Sequence, residues 1–172
     1  MRPARLALMS FLLALLLAVG LLGLPHESPP GLRFGWPLLP ARVTRPFLAP
    51  PEPWLPGHRG ADLAGQPGDP VRAAAAGTVV YAAVLAGRGV VSVAHAGGLR
   101  STYEPVDPAV TAGSTVTGGQ LLGRLDPGHP GCPVAACLHW GVRRNDLYLD
   151  PLILLGIGRV RLLPLPVVQQ AG

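Results

Sequence analysis

GTVVYAAVLAGRGVVSVAHAGGLRSTYEPV, residues 77–106, consists of three short apolar runs separated by glycine-containing breaks. The runs span 77–86, 89–96 and 99–106, and each break is two residues long. Short β-forming runs with breaks of this kind are typical of antiparallel hairpins. We therefore predict three consecutive antiparallel strands in this stretch.

The same glycine-punctuated pattern continues towards the C-terminus. GSTVTGGQLLGRL (113–125) predicts a further hairpin, ACLHWGVR (136–143) predicts a last strand, and 42–47 is compatible with an early edge strand. Past the N-terminal segment, no stretch shows a sustained helical period with caps. We predict an all-β domain over 57–155, built as a compact antiparallel sheet or sandwich, followed by a flexible tail at 156–172.

The N-terminal segment has the layout of an export signal. Arg2 and Arg5 precede an uncharged apolar run at 6–24, as the positive and apolar regions of a signal do. The run is longer than the usual apolar region of about 7–15 residues and close to the roughly 20 that span a bilayer. Signal peptide and membrane anchor both stay open for 1–24, and either places the domain outside the cytoplasm. The proline-rich stretch 25–56 is predicted to be a linker or an extended segment.

The charge balance limits the classes of partner. The chain has 14 basic and 9 acidic residues and a net charge of +5, and every basic residue is an arginine. This balance favours an anionic partner such as a cell-wall polymer or a lipid surface, although a coding bias towards arginine explains scattered arginines equally well. Export argues against nucleic acid. Residues 71–125 also resemble the sequence pattern of lipoyl and biotinyl carrier domains. Those carriers attach their cofactor to a lysine, so the absence of lysine excludes this class.

GHRGADLAG, residues 57–65, places a histidine and a carboxylate four positions apart. If the backbone is extended, His58 and Asp62 share one face, and an imidazole with a carboxylate is a ligand pair that suits zinc. His139, in the predicted last strand, would supply a third ligand. Three protein ligands with one position left for water form a catalytic zinc site. The HxxxD pattern alone is weak, because it occurs by chance in many proteins.

Four motifs follow one another in chain order over about 57–152. They are the HxxxD element, the GTV strand that begins at Gly77, VTGGQLLG at 116–123, and the histidine-containing strand CLHWG. Together they resemble the lysostaphin/LytM-like zinc metallopeptidase family. The resemblance implies a compact antiparallel β core and an exported peptidoglycan endopeptidase that acts on peptide cross-links during cell-wall remodelling. It also implies zinc as the cofactor, held by the histidine and aspartate ligands named above.

The chain departs from this family at two positions. Members usually carry two further histidines that assist proton transfer, and here Pro105 and Cys137 stand in their places. His129, in the loop before the last strand, Glu104 as a base, and Tyr103 as a donor to a developing oxyanion are candidate replacements. General acid–base help is worth about 10²–10⁴-fold. The alternative hypothesis is therefore a catalytically degenerate module that binds the cell wall or regulates another wall hydrolase.

Cys132 and Cys137 are the two cysteines of the chain. An exported location and the presence of a second cysteine favour a disulfide between them. Two other states stay open on the sequence. Cys137 shares a strand face with His139 and would close the site as a fourth zinc ligand, or it would pack as a buried free thiol.

Overall fold

The computed structural model of the protein describes residues 32–52 and 54–156. The predicted export segment at 1–24, the first part of the proline-rich stretch and all but the first residue of the predicted tail lie outside the described residues. A helix with the length and apolarity needed to cross a bilayer is absent from the two described ranges.

The described residues form eleven strands and two short helical segments. The strands are β1 (Val43–Arg45), β2 (Ala61–Gly65), β3 (Pro70–Arg72), β4 (Gly77–Leu85), β5 (Arg88–Ala94), β6 (Leu99–Glu104), β7 (Val106–Pro108), β8 (Thr115–Val116), β9 (Leu121–Leu125), β10 (Ala136–Arg144) and β11 (Leu147–Leu149). A 3₁₀ turn covers Ala96–Gly98, and one helix, α1, covers Pro151–Leu154. The prediction of an all-β domain is confirmed.

The strands form two antiparallel sheets. The larger sheet has the order β1-β2-β10-β6-β5-β4-β8, with β11 added beside β10, and the smaller has the order β3-β9-β7. The three strands predicted at 77–106 lie side by side as β4, β5 and β6. The turn between the first two is formed by Ala86 and Gly87, which both adopt positive φ, at 50° and 80°. Two positive φ values fit the right-handed twist of a hairpin.

The hairpin predicted at 113–125 is wrong. β8 pairs with β4 in the larger sheet, whereas β9 pairs with β3 and β7 in the smaller one. The turn between them is closed by Gln120, whose side chain accepts a hydrogen bond from the Thr117 amide at 3.0 Å. Val116 and Leu122 are both buried, so the segment contributes to one core from two sheets. A sheet crossing and a hairpin share the same local pattern, which is why the sequence misleads here.

Strand alternation separates the core from the face that carries the site. On β10 and β6, every second side chain enters a core that contains residues of both sheets: Ala136, Leu138, Trp140, Val142, Leu99 and Tyr103. The intervening residues face the other way. In the overlap of the two strands they are His139, Gly141 and Arg143 on β10, and Arg100, Thr102 and Glu104 on β6.

The described part of the proline-rich stretch packs against the domain. Leu38 is buried, the Gly35 amide donates to the Ala74 carbonyl at 2.7 Å, and the Arg72 amide donates to the Pro37 carbonyl at 2.9 Å. Val43–Arg45 then forms the edge strand β1 beside β2. The segment therefore brings the carbonyl of Pro46, which follows β1, to the site described next.

Candidate metal centre

The three predicted ligands converge on one point. His58 Nε2 lies 2.9 Å from Asp62 Oδ1 and 3.1 Å from His139 Nδ1, and His139 Nδ1 lies 2.8 Å from Asp62 Oδ1. A tetrahedral zinc with bonds of roughly 2.0–2.1 Å holds its ligand atoms about 3.3 Å apart. The three donor atoms therefore lie close to the separations that a zinc ion requires.

Two paired strands and one bridge position these side chains. Asp62 on β2 and His139 on β10 are directly opposite each other in the antiparallel register. His58 precedes β2 and forms an isolated bridge with Leu48, with reciprocal backbone hydrogen bonds of 2.8 and 3.0 Å. His58 and Asp62 are buried, whereas the side chain of His139 is 16% exposed. The cluster is therefore open to solvent on the side of His139.

The hydrogen bond at Nδ1 of His58 turns Nε2 towards the cluster. His58 Nδ1 lies 2.7 Å from the carbonyl oxygen of Pro46, and a carbonyl only accepts, so Nδ1 carries the hydrogen. When Nε2 carries no hydrogen, its lone pair and Asp62 Oδ1 lie 2.9 Å apart and can bind one cation between them. A histidine ligand typically donates its other ring nitrogen to a carbonyl in this way. The donor set therefore fits a divalent metal ion.

The charge state of Asp62 suits the same role. Burial raises the pKa of Asp62, but the hydrogen bond from His139 and the positive charges that the neighbouring histidines can carry more than offset it. The net result is a lowered pKa. Asp62 is therefore ionised at neutral pH, and the ionised carboxylate is the form that binds a metal ion.

Close contacts around Gly60 explain why the GHRGAD motif has a glycine at this position. A Cβ at this position would lie 2.7 Å from Cε1 and Nε2 of the His139 ring and 2.6 Å from the carbonyl oxygen of Trp140. Real Cβ atoms do not approach other atoms this closely. The residue between the first two ligands must therefore lack a side chain for the third ligand to occupy its place.

His129 lies beside the three ligands. Its Nε2 is 3.6 Å from Asp62 Oδ1, and its ring stacks on that of His139 with centroids 5.7 Å apart and planes at 11°. The side chain is 12% exposed, and Nδ1 is buried with no hydrogen-bond partner among the described residues. Burial lowers the pKa of His129. The structure thus brings this loop residue to the cluster.

Cys132 and Cys137 form a disulfide, which confirms the favoured state. The alternatives of a fourth zinc ligand and of a free thiol are therefore wrong, because the sulfur of Cys137 is bonded to Cys132. Cys137 shares the β10 face of His139, as predicted, and is fully buried. The bond ties the loop that carries His129 to the strand that carries His139, and the Cys132 amide donates to the His129 carbonyl at 3.2 Å.

Of the other two candidate catalytic residues, only Glu104 reaches the site. Glu104 on β6 lies directly opposite His139, and both of its oxygens accept from Arg88, at 2.9 and 3.2 Å. Tyr103 is fully buried in the core, where its hydroxyl accepts from the Ala74 amide at 2.9 Å. Burial raises the pKa of Tyr103 to about 12. The oxyanion role considered for Tyr103 therefore does not fit its position, because strand alternation turns it away from the ligands.

The cluster opens into a groove of about 650 Å³, which we call the site groove. His58, His129 and His139 line it together with one carboxylate, Glu104. Five arginines also line it: Arg45, Arg59, Arg88, Arg100 and Arg143. The sequence does not reveal this group, because the arginines are scattered along the chain and only the fold brings them together.

Known proteins are similar in sequence to this chain over most of its length. Residues 56–151 match the model of Peptidase family M23. An uncharacterized protein of Mycobacterium tuberculosis H37Rv is 51% identical over 156 residues, which cover 88% of this chain and 63% of that protein. The DD-carboxypeptidase/endopeptidase Mpg of Neisseria meningitidis is 30% identical over 139 residues, which cover 78% of this chain and 30% of that protein. The chain thus spans less than two thirds of the length of these curated relatives.

Solved structures share the fold. A putative peptidase M23 from Pseudomonas aeruginosa superposes with a TM-score of 0.57 at 28% identity, over 92% of this chain and 65% of that one. The catalytic domain of lysostaphin from Staphylococcus simulans superposes with a TM-score of 0.57 at 22% identity, over 67% of this chain and 92% of that one. The second likeness concerns the fold alone, and it confirms the predicted lysostaphin-like β core.

Proposed function

Because the chain belongs to Peptidase family M23, we propose that it is an exported zinc metalloendopeptidase that cleaves peptide cross-links in peptidoglycan. The observation that carries the proposal is the convergence of His58 Nε2, Asp62 Oδ1 and His139 Nδ1, with His58 Nδ1 held by the Pro46 carbonyl. The peptidase and endopeptidase names of the related proteins support the same reaction class. The export layout of residues 1–24 supports action at the cell wall or at the outer face of the cytoplasmic membrane.

In this proposal His58, Asp62 and His139 hold the zinc ion. At these ligands a bound zinc ion would supply Lewis acidity for the scissile carbonyl and would make a bound water more acidic. The chain's own contribution begins with orientation, because the hydrogen bond from His58 Nδ1 to the Pro46 carbonyl fixes the ring. The ionised Asp62 supplies one negative charge to balance the cation, and the exposed side of His139 leaves room for a peptide to approach.

His129 is the residue best placed to move a proton. It lies on the open side of the cluster, stacked on His139, and its Nδ1 has no partner among the described residues. His129 would take a proton from the attacking water and return it to the leaving amine. Glu104 is less suited, because Arg88 binds both of its oxygens, so we assign Glu104 to positioning within the groove.

A second candidate function rests on Pro105 and Cys137, which stand where members of the family usually carry two further histidines. Pro105 has no side-chain proton to transfer, and the sulfur of Cys137 is held in a disulfide. If His129 does not replace them, the domain would bind wall peptides or regulate another wall hydrolase without cleaving them. In this alternative the site groove still binds peptides, but the domain does not cleave them.

Digestion of purified peptidoglycan separates the two candidates. The zinc-supplemented full chain is incubated with walls of several peptide chemistries, and the soluble fragments are identified by mass spectrometry. We expect fragments with newly exposed amino groups from the natural chain and from Asp107→Asn, an exposed matched control, and none from Asp62→Asn. Binding to walls without release of fragments from any chemistry would refute the peptidase and support the binding module.

A further inference from the structure

Arg100 and Arg143 face each other inside the site groove. They are directly opposite in the antiparallel register of β6 and β10, both line the groove, and both are half-buried. Like charges directly opposite each other in a sheet are destabilising. The fold therefore keeps an unfavourable pair at this place, beside the strand positions that carry the candidate metal ligand.

No described carboxylate relieves this repulsion. Within 32–52 and 54–156, neither Arg100 nor Arg143 forms an ion pair or a side-chain hydrogen bond. The carboxylate that lines the groove, Glu104, is already bound by Arg88. Burial and the neighbouring Arg143 lower the pKa of Arg100, and the opposing effect of Tyr148 does not cancel them. An anion from outside these residues would remove the penalty.

The path between the metal ligands and the arginine pair is shaped for an extended chain. His139 and Arg143 are four residues apart on one face of β10, a distance of about 13 Å at roughly 3.3 Å per residue. Gly141 lies between them and faces Thr102 on β6. Thr102 in turn shares a hydrogen bond of 3.0 Å with Ser92. Between the metal ligands and the arginine pair, the groove is therefore lined by small and hydroxyl-bearing side chains, which leave space for an extended peptide.

We propose that Arg100 and Arg143 form a carboxylate-binding subsite. The subsite selects peptides that carry a free carboxylate three to four residues from the bond placed at the metal centre, and it rests on the proposed peptidase function. The guanidinium group matches a carboxylate through two parallel hydrogen bonds, and one carboxylate between two guanidinium groups replaces repulsion by attraction. The span of about 13 Å sets the spacing, since an extended peptide covers it in about four residues.

The test compares two synthetic octapeptides of alanine and glycine, blocked at both ends, that differ only by glutamate or glutamine at one position. Isothermal titration with the full chain measures the binding of each. We expect the glutamate peptide to bind at least about tenfold more tightly, the usual scale for a hydrogen-bonded charge pair. Arg100→Gln and Arg143→Gln should each abolish the preference, whereas Arg144→Gln, an equal change in charge on the opposite strand face, should retain it.

Several outcomes would overturn the subsite. Equal binding of the glutamate and glutamine peptides would overturn it. An equal loss of preference in Arg144→Gln would also overturn it, because it would indicate non-specific electrostatic attraction. Binding of poly(glycerol phosphate) in place of the glutamate peptide would assign the groove to an anionic polymer instead. Arg143→Gln should melt no lower than the natural chain, because it removes a like-charge contact. A lower melting temperature would make Arg143 a structural residue and refute the subsite.

The two proposals fail separately. A preference for the glutamate peptide without cleavage of peptidoglycan would leave the subsite in place and refute the peptidase. Cleavage of matched glutamate and glutamine substrates at equal kcat/KM, with equal binding, would support the peptidase and refute the subsite.

Discussion

Replacement of Cys132 by serine should loosen the loop that carries His129 and leave the metal ligands in place. The disulfide closes a loop of only six residues, from Cys132 to Cys137. The chain-entropy relation gives about 2 kcal/mol for a loop of this length. For a domain of this size, that loss corresponds to a fall in melting temperature of roughly 5–10 °C. Cys137 stays buried as a thiol, so the packing of β10 is conserved.

The assay is thermal unfolding of the full chain, followed by circular dichroism with and without reductant. Reductant should lower the melting temperature of the natural chain to that of Cys132→Ser and should leave the variant unchanged, which provides an internal control. Zinc content should be equal in both proteins, whereas cleavage should fall, because His129 is no longer tied to the strand of His139. A variant that melts within about 1 °C of the natural chain would refute the entropy argument. A loss of zinc in Cys132→Ser would mean that the disulfide also holds the metal ligands in place.

Three further substitutions test separate contacts. His129→Ala should keep its zinc and lose cleavage by about 10²–10⁴-fold, measured by fragment release, and unchanged cleavage would remove His129 from the mechanism. Tyr103→Phe should cost about 1–3 kcal/mol in chemical denaturation, because it leaves the buried Ala74 amide unpaired. Since the pKa of Tyr103 is raised from 10.0 to about 12 in the folded chain, its contribution to stability should fall as the pH rises through this window, a fall that Tyr103→Phe should lack. Gly60→Ala should lower zinc affinity and stability by about 1–3 kcal/mol, because its Cβ meets the His139 ring, and a variant with native zinc affinity would contradict that clash.

Much of the fold follows from local patterns in the sequence. The runs at 77–106 alternate and break as hairpins do, so β4, β5 and β6 are predictable from them. The same reasoning gives the wrong result for 113–125. The choice between a hairpin and a crossing to another sheet depends on where Val116 and Leu122 are buried. That choice is made by tertiary contacts, which a local pattern does not contain.

The site divides in the same way. The HxxxD motif and the last strand predict the three ligands, because two of them are fixed by a register of adjacent strands. His129 lies in a loop without periodicity, and its place depends on the disulfide and on stacking against His139. The pair of Arg100 and Arg143 depends on a register between residues 43 positions apart. Nearness to the last strand makes His129 a candidate on the sequence, but its contacts with Asp62 and His139, and the arginine pair, follow only from the structure.

We propose that His58, Asp62 and His139 together hold one zinc ion. The most direct test of this proposal is the zinc content per chain of the purified protein after dialysis, measured by mass spectrometry of the metal, beside His139→Ala and the matched His129→Ala. We expect about one zinc per chain in the natural protein and in His129→Ala, and none in His139→Ala. No zinc in the natural protein, or equal zinc in all three, would contradict the proposal.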